Sequence, residues 1–160
     1  MTNRPCTGDD NHFEAFAVGD VYRHARGKTV TENEAATLCH LVMNTADAHF
    51  NEHRMQGGWI GQAVVFGGVT IAIVIGLAMQ DTGEQALAEL ALDNIRLKAP
   101  VKHGDTLYAF SEVLETRDAD RPDAGIVRFR HYGVNQDSVV VFEGERTVLL
   151  RRKPSNTQQD

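Results

Sequence analysis

Two segments of this sequence combine residue types that can perform acid/base chemistry beside a carbonyl group. Residues 43–50 end a predicted helix in a polar loop that holds His49. Residues 63–79 form an apolar run whose helix is predicted to start on a glycine pair. An imidazole exchanges protons near neutral pH, and backbone N–H groups at a helix start polarise a carbonyl oxygen. With water and an activated alkene, these groups could perform a hydration.

The polar loop offers three candidate side chains, and each has a plainer alternative. His49 is the candidate acid/base group, unless it only hydrogen-bonds a carbonyl. Asn44 does not titrate, but its amide can hold a water molecule; otherwise it simply ends the preceding helix. Asp47 is the nearest carboxylate, and it is expected to contact the substrate or to act as a displaced base; the alternative is an Asx turn that faces solvent.

The glycine pair at the start of the apolar run is the candidate oxyanion site. The N–H of Gly68 is predicted to meet a carbonyl oxygen, with Gly67 beside the substrate. Close packing of helix against strand is the alternative, and both roles can hold together. Thr70 is the only polar side chain between Val69 and Met79. The apolar residues of the run are predicted to lie in the core: Val69, Ile71, Ile73, Val74, Ile75 and Leu77.

The first half of the chain predicts a strand, a helix and a loop around these candidates. Residues 21–29 are typical of a strand, and Thr31 with Glu34 matches a capping box that starts a helix. The apolar pattern fades at Asn44, and residues 44–61 are predicted to form a loop with at most a short helical turn.

The second half predicts a sheet. Segments rich in β-branched and aromatic residues are separated by turn signals. These predicted strands are residues 87–97, 106–115, 126–134 and 139–150. The predicted fold class is therefore α+β, with an antiparallel sheet wrapped around the central apolar helix in one domain, residues 13–152. A flexible leader, residues 1–12, and a disordered tail, residues 153–160, are expected to flank it.

Composition excludes several classes of function. The chain has 160 residues, 42% of them hydrophobic and 24% charged, with a net charge of -6, which argues against nucleic-acid binding. Cys6 and Cys39 make neither a disulfide framework nor a zinc motif, so a reduced cytoplasmic location is expected. No signal-peptide core precedes residue 13. The run 63–79 is shorter than the roughly 20 residues of a membrane span, so a buried helix is favoured.

With these residues in place, the chain resembles the MaoC-type dehydratases, which are (R)-specific enoyl-CoA hydratases of the hotdog fold. The resemblance covers about residues 13–152. It rests on the order and spacing of several short motifs. These are residues 16–20 (FAVGD), 26–32 (RGKTVTE), the loop ending at His49, the glycine pair, and residues 99–107 (APVKHGDTL), 133–136 (GVNQ) and 146–149 (RTVL).

The resemblance implies roles for the loop residues. The family loop reads Asp-x-Asn-Pro-x-His, in which Asp and His activate water. Here the matching residues are 44–49, so His49 matches, whereas Asn44 stands at the carboxylate position. The family also places the N–H of the residue matching Gly68 on the thioester carbonyl. Residues 23–32, together with Asn44 and Thr45, are similar to members that act on mesaconyl-CoA or itaconyl-CoA.

A hydro-lyase acting at the 2,3 double bond of an enoyl-thioester is thus the leading interpretation. It requires no redox cofactor and no metal; CoA or a carrier-protein arm belongs to the substrate. Basic residues are expected to bind its phosphates or carboxylates: Arg26 beside His24, and Arg96 with Lys98. Two alternatives stay open, a hotdog thioesterase and a noncatalytic acyl-CoA-binding subunit. A homodimer, or a higher oligomer, is expected because a single curved sheet leaves an edge strand uncovered.

Overall fold

The long apolar helix lies against one curved sheet, as predicted. A computed structural model of the protein describes residues 3–6 and 11–154. Its strands are β1 (Asn3–Cys6), β2 (Val21–Thr29), β3 (Ala86–Leu97), β4 (Thr106–Asp118), β5 (Ala124–Val134) and β6 (Val140–Arg151). Its helices are α1 (Glu32–Leu41), α2 (Glu52–Met55) and α3 (Gly67–Thr82), with single 3-10 turns at Phe13–Ala15 and Asp47–His49.

The sheet order is β1-β2-β4-β5-β6-β3, and every pair except β1–β2 is antiparallel. Helix α3 packs on β2, β4 and β5. This arrangement confirms the predicted antiparallel sheet around a central helix, which is the hotdog architecture. The predicted strands all form, with ends shifted by a few residues.

The N-terminal segment differs from the predicted flexible leader. Residues 3–6 form β1, which pairs in parallel with β2 from Asn3 opposite Val21 to Cys6 opposite His24. The free edge of β2 offers unpaired backbone N–H and C=O groups, which such a segment can satisfy. Composition did not indicate this pairing, because a polar strand at a sheet edge has no hydrophobic pattern. The rest of residues 1–10 and most of the predicted tail, residues 155–160, lie outside the described residues.

Helix α1 begins where the capping box predicts. The Thr31 side chain accepts a hydrogen bond from the Glu34 N–H at 3.4 Å, and Glu34 accepts one from the Thr31 N–H at 3.1 Å. The nearby Lys28 ammonium is the largest of the influences that lower the pKa of Glu34 to about 2. The chain then leaves the helix, and the Asn44 N–H bonds the Cys39 carbonyl at 2.8 Å. This termination aims residues 44–49 toward the start of α3.

Helix α3 is buried on one side only. Val69, Val74 and Ala78 are buried, whereas Ala72 and Gly76 are exposed. Of the six residues predicted to lie in the core, Val69 and Val74 are buried, and Ile71, Ile73 and Leu77 pack against the core while staying partly exposed. Four of these residues are only half-buried: Ile71, Ile73, Ile75 and Leu77. One sheet covers one side of a helix, and nothing in the described part of the chain covers the other. No helix among the described residues is both long and apolar enough to cross a membrane.

A line of buried polar side chains crosses the sheet beside the C-terminal end of α3. His24 contacts the Asp81 carboxylate through Nδ1 at 2.5 Å and the Ser111 hydroxyl through Nε2 at 2.7 Å. Ser111 in turn contacts His131 Nδ1 at 2.7 Å. The expectation that His24 lines a ligand pocket beside Arg26 is therefore wrong, because its ring is enclosed in the core.

Arg146 is a buried cation in the same region. Its guanidinium donates two hydrogen bonds of 2.8 Å to the Glu89 carboxylate and one of 2.9 Å to the Thr82 hydroxyl. Burial of a charge is tolerated only with such partners. Arg146 also places positive charge near His24 and His131, which adds to the effect of burial in lowering the pKa of both imidazoles.

Candidate functional site

His49 lies at the end of the 3-10 turn Asp47–His49, and its ring has a fixed orientation. Nδ1 is 2.9 Å from the Val64 carbonyl oxygen. Because a carbonyl oxygen only accepts, Nδ1 must carry a hydrogen in this contact. The neutral ring then has its lone pair on Nε2, which is the position a general base needs. The ring also packs against Phe66, with centroids 5.4 Å apart.

A cavity of about 390 Å³ lies in front of this histidine. Its walls are mostly apolar and come from the segment before α3, the start of α3 and the segment after β3. The lining residues are His49, Trp59, Val64, Val65, Gly67, Thr70, Leu97, Lys98, Ala99, Pro100 and Val101. The structure therefore brings three predicted site residues, His49, Gly67 and Lys98, to one cavity. An apolar cavity with a few polar groups is the usual form of a small-molecule site.

The start of α3 offers backbone donors beside this cavity. Phe66 is the residue before the helix, and its carbonyl accepts from the N–H groups of Val69 and Thr70 at 2.9 and 3.1 Å. In the described part of the chain, the N–H groups of Gly67 and Gly68 have no backbone partner. Such N–H groups, at the positive end of a helix dipole, are suited to a developing oxyanion.

Both glycines also lie in close contact with neighbouring side chains. A Cβ added at Gly67 would lie 2.3 Å from Leu97 Cδ1, and one at Gly68 would lie 2.5 Å from Phe66 Cε1. The helix start is thus closely packed and has free N–H groups at the same time. Gly68 does not line the cavity, and its oxyanion role stays a prediction.

Asn44 and Asp47 are engaged within the loop. The Asn44 side-chain oxygen accepts a hydrogen bond from the Ala46 N–H at 3.1 Å, and Asn44 is not among the cavity-lining residues. Asp47 accepts from Asn51 Nδ2 at 3.1 Å and forms an ion pair with Arg54. These two partners lower the pKa of the Asp47 carboxyl. The water-holding role of Asn44 and the substrate contact of Asp47 stay predictions.

The basic residues that were predicted to bind the substrate do not lie together in the structure. Lys98 lines the cavity, with its ammonium 3.8 Å from the Glu143 carboxylate. Arg96 is exposed and donates to the neighbouring Ile95 carbonyl at 3.0 Å, and Arg26 is exposed at the irregular register of β2. Neither arginine lines the cavity, so their substrate contacts stay predictions.

Two cavity residues with a polar or aromatic side chain were not predicted as site residues. Trp59 lines the cavity although 89% of its surface is exposed, and glycines at 57, 58 and 61 flank it. A lone tryptophan in a glycine-rich loop is a signal that could have indicated it. Thr70, the one polar residue in the apolar run, is the other. Among the residues that the structure describes, no group of three or more His, Cys, Asp or Glu side chains is arranged to hold a metal ion.

Sequence comparisons show which known proteins the chain is similar to. The family model described as mesaconyl-CoA hydratase matches residues 6–152. A mesaconyl-CoA hydratase of Haloarcula marismortui is 32% identical, over 95% of this chain and 45% of that protein. A β-methylmalyl-CoA dehydratase of Chloroflexus aurantiacus is 30% identical, over 91% of this chain and 46% of that protein.

A solved structure gives the same result for the fold. A MaoC domain protein dehydratase of Chloroflexus aurantiacus superposes with a TM-score of 0.85 at 29% identity, over 92% of this chain and 46% of that chain. The chain spans about half the length of the curated relatives it matches. Because the family model covers nearly the whole sequence, the chain belongs to the mesaconyl-CoA hydratase family.

Proposed function

We propose that this protein is a hydro-lyase that adds water reversibly across the 2,3 double bond of an enoyl-CoA, with branched or dicarboxylic acyl groups as its substrates. The observation that carries the proposal is the shared cavity of His49 and the start of α3, with Lys98 on its wall. The names of the relatives make mesaconyl-CoA the first candidate.

The reaction needs only groups that the chain supplies. His49 Nε2 takes a proton from water as the oxygen attacks C3. The electrons of the double bond move toward the thioester, whose oxygen gains negative charge beside the N–H groups of Gly67 and Gly68. The imidazolium then returns a proton to C2, so one water is consumed and His49 is regenerated. No redox cofactor takes part in this scheme.

The apolar walls and Lys98 suit the substrate. Val64, Leu97 and Val101 can enclose the methyl group and chain of a branched acyl group. The ammonium of Lys98 is the cation on the cavity wall, and it can pair with a terminal carboxylate or a CoA phosphate. The carboxylates nearest to His49 in sequence have other partners, and no carboxylate lines the described cavity. A cavity wall without a carboxylate also fits a noncatalytic acyl-CoA-binding subunit, so the assay must distinguish the binding subunit from the hydro-lyase.

A panel of crotonyl-, mesaconyl- and itaconyl-CoA tests the proposed function. Loss of the conjugated thioester absorbance at 1:1 stoichiometry with hydroxyacyl-CoA, without release of free thiol, is the expected result. Release of thiol would identify a thioesterase. Tight binding of all three compounds without turnover would identify the binder and contradict the proposal.

We also propose that two copies of the chain form a homodimer through β3. This strand is the free edge of the sheet at the end opposite β1, and it exposes Leu90 and Leu92. The exposed side of α3, with Ala72 and Gly76, completes an apolar surface that one chain leaves uncovered. Two such chains also approach the length of the relatives, of which one chain covers about half. A cytoplasmic location remains a prediction from the cysteine content.

The exposed leucines of β3 allow a mutational test of the homodimer. We expect light scattering of the native chain to give about twice the chain mass, and Leu92→Glu to give a monomer because it places a charge on the apolar edge. Val18→Glu, at a position that is also exposed, is the matched control and should leave the mass unchanged. A native monomer that hydrates the substrate at full rate would contradict the dimer.

A further inference from the structure

We propose that the Thr70 hydroxyl binds the attacking water, and equally the C3 hydroxyl of the product, beside His49. This inference rests on the proposed function. It gives Thr70 the task of holding the attacking water, which the family loop pattern gives to a carboxylate at position 44. Thr70 thereby becomes a water-binding residue, which holds the oxygen while His49 moves the proton.

Thr70 is placed for this role by the geometry of α3. It lies in the first turn of the helix, three residues after Gly67, and residues spaced in this way share a helix face. Both line the cavity in front of His49. Thr70 is almost fully buried, with 2% of its surface exposed, and it is one of the residues on the cavity wall. Gly67 and Thr70 are therefore on the same wall of the cavity.

The Thr70 hydroxyl lacks a partner within the described part of the chain. Its backbone N–H bonds the Phe66 carbonyl at 3.1 Å, but no hydrogen bond of its side chain is found there. The other threonine of α3 behaves differently, since Thr82 donates to the Ala78 carbonyl at 2.8 Å and accepts from Arg146 at 2.9 Å. A hydroxyl without a protein partner on a cavity wall is available to bind a water or a substrate oxygen.

The other candidates for holding water have partners. The side-chain oxygen of Asn44 is bonded to the loop backbone, and the carboxylate of Asp47 is bonded to Asn51 and Arg54. Apart from His49, the polar side chains on the cavity wall are Thr70, Lys98 and Trp59. An ammonium and an indole N–H only donate, whereas a hydroxyl both donates and accepts. Thr70 is thus the neutral group that can fix a water whose proton leaves toward His49.

In the proposed step, the atoms balance without a change at Thr70. The hydroxyl oxygen accepts a hydrogen bond from one O–H of the water, the other O–H of the water points to His49 Nε2, and the water oxygen keeps a lone pair for attack at C3. One water proton passes to His49 Nε2 and then to C2. The Thr70 hydroxyl keeps its own proton throughout, and after the reaction it donates to the new C3 hydroxyl.

The first test compares Thr70→Val, which keeps the shape of the side chain, with Thr70→Ser, which keeps the hydroxyl. We expect Thr70→Val to lower kcat by about tenfold or more with little change in KM, because the lost contact orients the water rather than the thioester. Thr70→Ser should recover most of kcat. Thr29→Val, at an exposed position of β2, is the matched control and should be unaffected. A folded Thr70→Val with native kcat, or a Ser variant no better than Val, would overturn the inference.

A binding measurement separates this inference from the proposed function. Trp59 is the single tryptophan of the chain and lines the cavity, so its fluorescence can follow ligand binding. The native protein should bind 3-hydroxybutyryl-CoA about fivefold more tightly than butyryl-CoA, a ratio typical of one hydrogen bond, and Thr70→Val should remove this preference. If this pattern appears without any hydration, the proposed function fails while the Thr70 site stands. An equal preference in native protein and Thr70→Val would overturn the Thr70 site itself.

Discussion

Replacing His49 with alanine is expected to lower the hydration rate by about 10²-fold or more, the usual effect of removing a positioned acid/base group. The expectation follows from the ring's fixed orientation, with Nδ1 on the Val64 carbonyl and the lone pair on Nε2. Alanine removes both the proton acceptor and the proton donor of the proposed reaction. The measurement is kcat on the best substrate of the thioester panel, with circular dichroism to confirm that the variant is folded.

His53→Ala is the matched control for this variant. His53 lies in α2, four residues further along the same region, but it is exposed and does not line the cavity. We expect it to retain native kcat. A folded His49→Ala protein with unchanged kcat would show that another group moves the protons.

Acid is expected to destabilise the fold through the buried histidines. Burial, followed by the charges of Arg146 and His24, lowers the pKa of His131 from its ordinary value of 6.5 to about 3. Because the unfolded chain binds this proton at a higher pH than the folded one, the stabilising effect is complete above pH 6.5 and is lost as the pH falls from there toward 3. At pH 5 the loss is about 2 kcal/mol of the free energy of unfolding. The lowered pKa of His24 acts in the same direction.

His131→Phe isolates this contribution. Phenylalanine keeps a ring beside Phe129, whose centroid lies 5.8 Å from that of His131, and it cannot be protonated. Urea unfolding at pH 7 and pH 5 should give a smaller stability difference for His131→Phe than for the native chain. The exposed substitution His53→Gln should leave the native difference unchanged. Equal pH differences for the native chain and His131→Phe would contradict the assignment of a neutral buried imidazole.

Local signals in the sequence were sufficient for helices α1 and α3 and for strands β2 to β6, but not for β1. The capping box at Thr31 predicted the start of α1, and the glycine pair predicted the start of α3, because both depend on interactions within a few residues. Segments rich in β-branched and aromatic residues, separated by turn signals, predicted β4, β5 and β6. The family loop pattern placed His49, and the structure puts it on the same cavity as Gly67.

Contacts between distant segments could not be predicted in this way. His24 belongs to the core because Asp81 and Ser111 reach it from α3 and β4, which its own neighbours in sequence do not reveal. The one-sided burial of α3 depends on how many strands face it. Thr70 and Trp59 likewise join the site only when α3 and the loop before it are packed together.

The most direct test of the proposed hydro-lyase activity follows the oxygen of water into the product. The native protein is incubated with mesaconyl-CoA in ¹⁸O-labelled water, and the product is analysed by mass spectrometry. Hydration predicts one ¹⁸O atom in the hydroxyl group at C3, with the thioester intact. Label found instead in a free carboxylate, with CoA released, would show attack at the carbonyl and contradict the account.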